Sequence, residues 1–135
     1  MAENKIPLKV VTPQREMYKG EADMVIMRTK SGDVGILHGH QPMVTVLDYG
    51  VMRIQNEGEE DKTAAVFGGF AQIDENGITV LTDIAEWADE IDLERAENAR
   101  KRAEERLQSR SGDINVLRAE LALKRSLIRI GLKSM

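Results

Sequence analysis

The chain has 135 residues, 41% hydrophobic and 31% charged, with 19 Lys and Arg against 23 Asp and Glu for a formal net charge of -4. That length suits one ordinary domain, or one domain of about 85–90 residues with an appendage, and the composition allows a packed core and argues against wholesale disorder. With 0 Cys and no apolar run near the roughly 20 residues that span a bilayer, disulfide frameworks, thiolate metal sites, Cys nucleophiles and a transmembrane helix all drop out.

The opening MAENKIPLKV lacks the apolar segment of a signal peptide, so neither cleavage nor export is expected. From Lys5 to about Glu86, short apolar stretches alternate with turn residues. Ile6–Val11, Met24–Thr29, Val34–Leu37, Met43–Leu47, Val51–Gln55, Thr63–Phe67 and Ile78–Thr82 read as strands rich in β-branched residues. Lys19-Gly20, Ser31-Gly32-Asp33, Tyr49-Gly50, Asn56-Glu57-Gly58 and Glu75-Asn76-Gly77 separate them, and Asn76-Gly77 is a hairpin signal. Short strands at this spacing predict an all-β sandwich or barrel. After Asp89 the period changes. Leu93, Ala96, Ala99, Ala103 and Leu107 line one face of a helix, and Ile114, Leu117, Leu121 and Ile128 line a face of a second. Ser111-Gly112-Asp113 links them, with Gly112 suited to end one helix and Asp113 to cap the next. The short link makes the helices antiparallel neighbours with a narrow, Ala-rich seam, a hairpin able to detach. The expected division is a sandwich over residues 1–88 and a helical hairpin over 89–135.

Charge follows the same division. Residues 1–91 carry 8 Lys and Arg against 16 Asp and Glu, whereas residues 92–135 carry 11 against 7. An acidic sandwich argues against nucleic acid as the main partner. The basic hairpin suits an anion or an acidic protein surface, or is simply a solvated charged pair.

Several motifs fail chemically. Gly58–Thr63 ends in Lys-Thr but lacks the Gly before Lys, and no helix follows, so it reads as an exposed turn rather than a phosphate loop. Gly68-Gly69 in a strand pattern indicates a bulge or a close backbone approach. His38 and His40 are the only two His, without a third ligand, and read as loop residues at a contact surface. No metal site is expected, and no nucleophile elbow exists, so catalysis is disfavoured.

One arrangement remains. Ile91-Asp92-Leu93-Glu94-Arg95-Ala96 opens the first helix, where Asp92 reads as an N-cap and Arg95 as surface charge. Arg95 and Arg102 lie seven apart on helix one; Arg118, Arg125 and Arg129 lie seven and four apart on helix two. In an antiparallel hairpin these stripes can converge, and convergent guanidinium groups suit phosphate oxygens. Asp92 suits an adenine amino group or a ribose hydroxyl.

Leu8–Pro13, Gly32–Pro42 (with Gly35-Ile36-Leu37-His38-Gly39-His40), Gly68-Gly69-Phe70, Thr82–Glu86, Leu107-Gln108 and Arg118–Arg125 are together similar to one family. Over nearly its whole length the chain resembles the epsilon subunits of bacterial F-type ATP synthases. The resemblance implies a ten-stranded antiparallel β-sandwich followed by a two-helix hairpin, an α+β chain. It implies a non-catalytic central-stalk subunit that joins gamma to the ring of c subunits, with Leu37, His38 and His40 at the contact. The subunit would be peripheral, on the cytoplasmic face of the cell membrane, touching the membrane only through the complex. The extended hairpin would reach the catalytic beta and alpha subunits and block ATP hydrolysis. Members from thermophilic Bacillus-type organisms carry Ile-Asp-x-x-Arg-Ala at an ATP site that holds the hairpin folded. The motif stands here as Ile91, Asp92, Arg95 and Ala96, and Glu86, Arg102, Arg125 and Arg129 match the rest of that site. ATP is thus the implied regulatory ligand, with magnesium left open. Lys124, Arg125, Arg129 and Lys133 complement the dipole at the end of helix two and would meet acidic beta-subunit loops once extended. The alternative is a free-standing ATP-sensing module with the same hairpin.

Overall fold

The computed structural model describes residues 4–109 and 115–134. The chain divides into two compact units, Met1–Trp87 and Ala88–Met135.

The first unit is a sandwich of two five-stranded sheets. Its strands are β1 (Ile6–Val11), β2 (Glu16–Ala22), β3 (Met24–Thr29), β4 (Gly32–Leu37), β5 (Met43–Val46), β6 (Tyr49–Gln55), β7 (Lys62–Phe67), β8 (Phe70–Asp74), β9 (Gly77–Leu81) and β10 (Ala85–Trp87). One sheet runs β2-β1-β9-β8-β5 and the other β10-β7-β6-β3-β4. Alternation decides which residues enter the core. Leu8, Val10, Ala71, Ile73, Ile78 and Val80 face inward from the first sheet. Val25, Met27, Ile36, Met52, Ile54, Ala64 and Val66 do so from the second. The core is aliphatic, as the low aromatic content requires.

The architecture is the sandwich expected, with ten strands where strand patterning alone finds seven. Lys19-Gly20 lies inside β2 and Tyr49-Gly50 inside β6, rather than between strands. A register shift at Val10/Val11 breaks the alternation of β2 against β1. At Gly50 a side chain would overlap Arg28 on the neighbouring β3, so that glycine serves a close approach between strands. The β8–β9 hairpin forms, but Asp74 pairs with Gly77, which leaves Glu75-Asn76 as the turn. Gly77, at φ 126°, is needed because a Cβ there would lie 2.9 Å from Pro7 Cβ. Gly69 likewise marks a close backbone approach, to Leu81 and Thr82 of the adjoining segment. One pairing departs from the antiparallel expectation: β1 runs parallel to β9, with Leu8 opposite Ile78. A tight turn at Pro13-Gln14 forces β1 and β2 antiparallel, whereas β9 arrives from far along the chain and carries no such constraint.

The second unit opens with a single 3-10 turn, Ala88–Glu90, followed by α1 (Leu93–Ser109) and α2 (Val116–Lys133), packed together as a hairpin. Ala96 and Ala103 are buried on α1; Ala119, Ser126 and Leu132 are buried on α2. Of the face expected on α1, Ala96 and Ala103 are buried and Ala99 and Leu107 half-buried, whereas Leu93 is exposed. On α2 the expected face is not the seam, because Leu117 is 65% exposed while Ala119 and Ser126, on another face, are covered. Small residues set this seam, since they let the helix axes approach closely; the larger leucines fall outside it. Asn115 caps α2, its side chain accepting from the Arg118 amide at 3.1 Å. Asp113, the cap expected from sequence, lies with Ser111, Gly112 and Ile114 outside the described residues.

Candidate functional site

The start of α1 is built around Asp92. Its Oδ1 accepts from the Arg95 amide at 3.1 Å, and its carbonyl accepts from Ala96 N at 3.0 Å. The first bond satisfies a donor that helix geometry leaves without an intrahelical partner, and the second begins the helical ladder. The N-cap reading of Asp92 therefore holds. Ile91, before it, is buried and donates its amide to Ala88 O at 3.3 Å. Ala96 is 3% exposed and sits in the seam.

The arginines are placed by that seam. Arg95 and Arg102 each immediately precede a buried alanine, Ala96 and Ala103. On α2, Arg118 and Arg125 each immediately precede a buried seam residue, Ala119 and Ser126. A residue one step before the seam lies about 100° to one side of it on a helix of 3.6 residues per turn. When two helices pack antiparallel, those two sides are the same side of the pair. Arg95, Arg102, Arg118 and Arg125 thus share one flank of the hairpin, and Arg129 follows Arg125 by one turn. Arg95, Arg102 and Arg118 are exposed, while Arg125 and Arg129 are half-buried. Arg100 lies on the other flank, where its Nε is 3.5 Å from Glu104 Oε1. Among the described residues no carboxylate forms an ion pair with Arg95, Arg102, Arg118 or Arg125. Such a flank carries mutual repulsion that a polyanion relieves, and guanidinium forks fit phosphate oxygens in pairs. Ser126 lets the seam close without an unsatisfied hydroxyl, since its Oγ donates to Leu123 O at 2.8 Å.

Glu86 belongs to the first unit. It lies half-buried in β10, opposite Ala65 of β7 and beside Trp87, whose ring meets Tyr18 edge-on at 6.0 Å.

The loop after β4 is a tight turn. His40 N donates to Leu37 O at 3.1 Å, and Gly39 at φ 84° occupies the third position, where a type II turn requires a positive φ. Leu37 is 55% exposed and His38 is exposed. His40 is half-buried, its Nδ1 2.7 Å from Gln41 O. The turn presents an apolar and an imidazole side chain together. No metal cluster of three or more His, Asp or Glu occurs among the described residues.

A second exposed surface escaped the sequence reading. Val46 pairs with Phe70 and Phe70 with Leu81, so the three stand in a row across β5, β8 and β9 on the outer face of the first sheet. They are 57%, 45% and 39% exposed, with Val44 beside them at 70%. The row borders an open cleft of about 310 Å³ lined by Val11, Pro13, Gly69, Phe70, Leu81 and Thr82. A contiguous exposed apolar row marks a contact surface more often than scattered apolar residues do. The alternation in Phe70–Asp74 carried the signal, but it shows only once that segment is recognised as a strand.

Comparison with known proteins matches residues 5–88 to the ATP synthase delta/epsilon chain β-sandwich domain and residues 89–133 to the long α-helix domain of the same chain. The ATP synthase epsilon chain of Alkaliphilus metalliredigens is 48% identical over 129 residues, covering 96% of each chain. That of Bacillus velezensis is 44% identical over 125 residues, covering 93% of this chain and 94% of the other. Among solved structures, a chain of the Euglena gracilis mitochondrial ATP synthase (OSCP/F1/c-ring, rotational state 1) superposes with a TM-score of 0.81 at 26% identity. The match covers 96% of this chain and 80% of that one.

Proposed function

The chain belongs to the ATP synthase delta/epsilon chain family, as a non-catalytic stalk subunit of that complex, and on that footing we propose that it is a regulatory switch of the central stalk. In this reading the sandwich holds gamma and the c ring, with Leu37 and His38 at the exposed turn and the Val46–Phe70–Leu81 row as contact surfaces. The complex carries the subunit at the cytoplasmic face of the cell membrane; no helix among the described residues is long and apolar enough to cross one. The hairpin binds ATP when folded and releases it when extended toward the catalytic alpha and beta subunits, where it blocks hydrolysis.

The observation that carries the reading is the shared flank of Arg95, Arg102 and Arg125, beside Asp92 at the start of α1. The flank requires the packed pair: separated helices scatter these guanidinium groups. A ligand that needs them together favours the folded hairpin by its differential affinity for the two states. At a hundredfold excess over Kd that amounts to about 2.7 kcal/mol. Ile91 and Ala96 position the cap and the seam. The phosphate oxygens go to the arginines in this assignment, and magnesium is a variable of the test.

Calorimetric titration of the whole subunit with ATP, with and without magnesium, tests the site. Arg125→Ala removes a charge-assisted bond of roughly 1.5–3 kcal/mol, so binding is expected to weaken at least tenfold. Wild type that binds no ATP at millimolar concentration, or Arg125→Ala that binds as well as wild type, would show the arginines to be a solvated face. Capture from membranes tests the placement. Recovery of gamma and c subunits is expected, and their absence would favour a free-standing ATP sensor.

A further inference from the structure

The far end of α2 returns to the turn before α1. Lys133 Nζ donates to Ala88 O at 3.3 Å. The same carbonyl accepts the Ile91 amide, also at 3.3 Å, so one acceptor closes the 3-10 turn and holds the lysine. Apolar burial accompanies the contact from both ends: Ile91 is 4% exposed and Leu132 is 3% exposed. The α2 helix is stopped just there. Lys133 is its last helical residue, and Ser134 at the cap donates from both its amide and its Oγ to Ile130 O, at 3.1 and 2.8 Å.

We propose that Lys133 is a clasp that fastens the closed hairpin at its open end, opposite the connection between the helices. A hairpin joined only at its connection can splay from the free end of α2. An ammonium on Ala88 O makes splaying break a charge-assisted hydrogen bond between the last turn of α2 and the turn before α1. The clasp also ties the C-terminus of α2 to the turn closed by the Ile91 amide, the residue immediately before the Asp92 cap, so loss of closure reaches the start of α1. This goes beyond the nucleotide reading and stands without it, because Lys133 and Ala88 are no part of the proposed ATP site and the test is run without nucleotide.

Amide hydrogen exchange of the full chain, without nucleotide, decides the matter. Lys133→Ala is expected to speed exchange about threefold to tenfold, as loss of one exposed charge-assisted bond implies. The increase should reach the Ile91 and Arg95 amides as well as α2, while Val80 in the sandwich core keeps its protection. Lys133→Arg, which retains a donor of similar reach, should stay near the wild-type rates. Lysine acting only on its own helix dipole gives a different pattern, with faster exchange confined to the last turn, Ile130–Ser134. That pattern, or unchanged rates in Lys133→Ala, overturns the clasp. So does Lys133→Arg exchanging as fast as Lys133→Ala, since packing of the lysine stem would then carry the effect.

Discussion

Asp23 joins three parts of the sandwich through one carboxylate. It accepts from Glu57 N at 2.6 Å and meets Lys5 Nζ at 3.1 Å, while Asn56 Oδ1 receives Lys5 Nζ at 2.7 Å and Asp23 N at 3.2 Å. The Glu57 amide bond, then the Lys5 hydrogen bond, hold its carboxyl below the ordinary 3.8. A folded-state pKa below the unfolded one gives stability that is present above about pH 4 and is lost as pH falls through the folded value. Asp23→Asn should therefore unfold at lower urea than wild type at pH 7, and the gap should close as the solution is acidified below pH 4. A gap that persists unchanged in acid would mean that the amide geometry, not the charge, matters. Glycines separate by a similar comparison. Gly69 has φ 99°, and a methyl there would overlap Leu81 O and come within 2.8 Å of Thr82 Cα. Gly39 has φ 84° but nothing within 4 Å. Gly39→Ala should cost about 1 kcal/mol from backbone strain alone. Gly69→Ala should cost at least about 2 kcal/mol more, as the backbone of Leu81 and Thr82 must move. Equal urea midpoints for the two variants would refute the close-approach account.

Among the elements, both helix caps were open to reading from sequence, but only one was placed correctly. Asp92 precedes a helical pattern and caps it; Asn115 does the same for α2, three residues before the Arg118 amide it accepts. Asn115→Ala should cost about 1 kcal/mol, seen as a lower thermal midpoint of the helical signal, with faster exchange at the Arg118 amide. No change would indicate that the seam alone holds that end of α2. The strands that sequence patterning passes over have physical reasons for being faint. The β2 strand carries Glu16, Lys19 and Glu21 and sits at a sheet edge across a register shift; β10 is three residues long; β8 follows directly on Gly68-Gly69. The two-helix hairpin was legible because α1 keeps a clean period. The α2 face was misread because apolarity points to Leu117 and Leu121, while close packing selects Ala119 and Ser126. That difference matters for the candidate site. The spacing of the arginines is visible in sequence, but their common flank follows only when the small residues are known to be the seam.

At the scale of the whole molecule the two units differ in how they are held. The sandwich core from Ile6 to Ala85 is continuous across both sheets. The helical seam is made of Ala96, Ala103, Ala119 and Ser126, which bury far less apolar area per residue than Leu or Ile. A chain ended after Asp89 should therefore unfold cooperatively with a β-type spectrum, close to the sandwich transition of the full chain. A disordered spectrum from that truncation would show the core to depend on the helices. Trp87, the 1 Trp of the chain, packs at the end of the sandwich core and gives that transition a fluorescence readout.

The parallel pairing of β1 with β9 has a consequence for synthesis. On the ribosome the first strand emerges early, with only β2 beside it; its central neighbour exists only after Leu81 has been made. Until then Leu8 and Val10 lack Ile78 and Val80, their companions in the core. Closure of such distant segments is slow compared with hairpin formation. The nascent sandwich thus stays open through most of its translation, and the N-terminal strand is the part exposed longest to chaperones and proteases before the sheet is sealed.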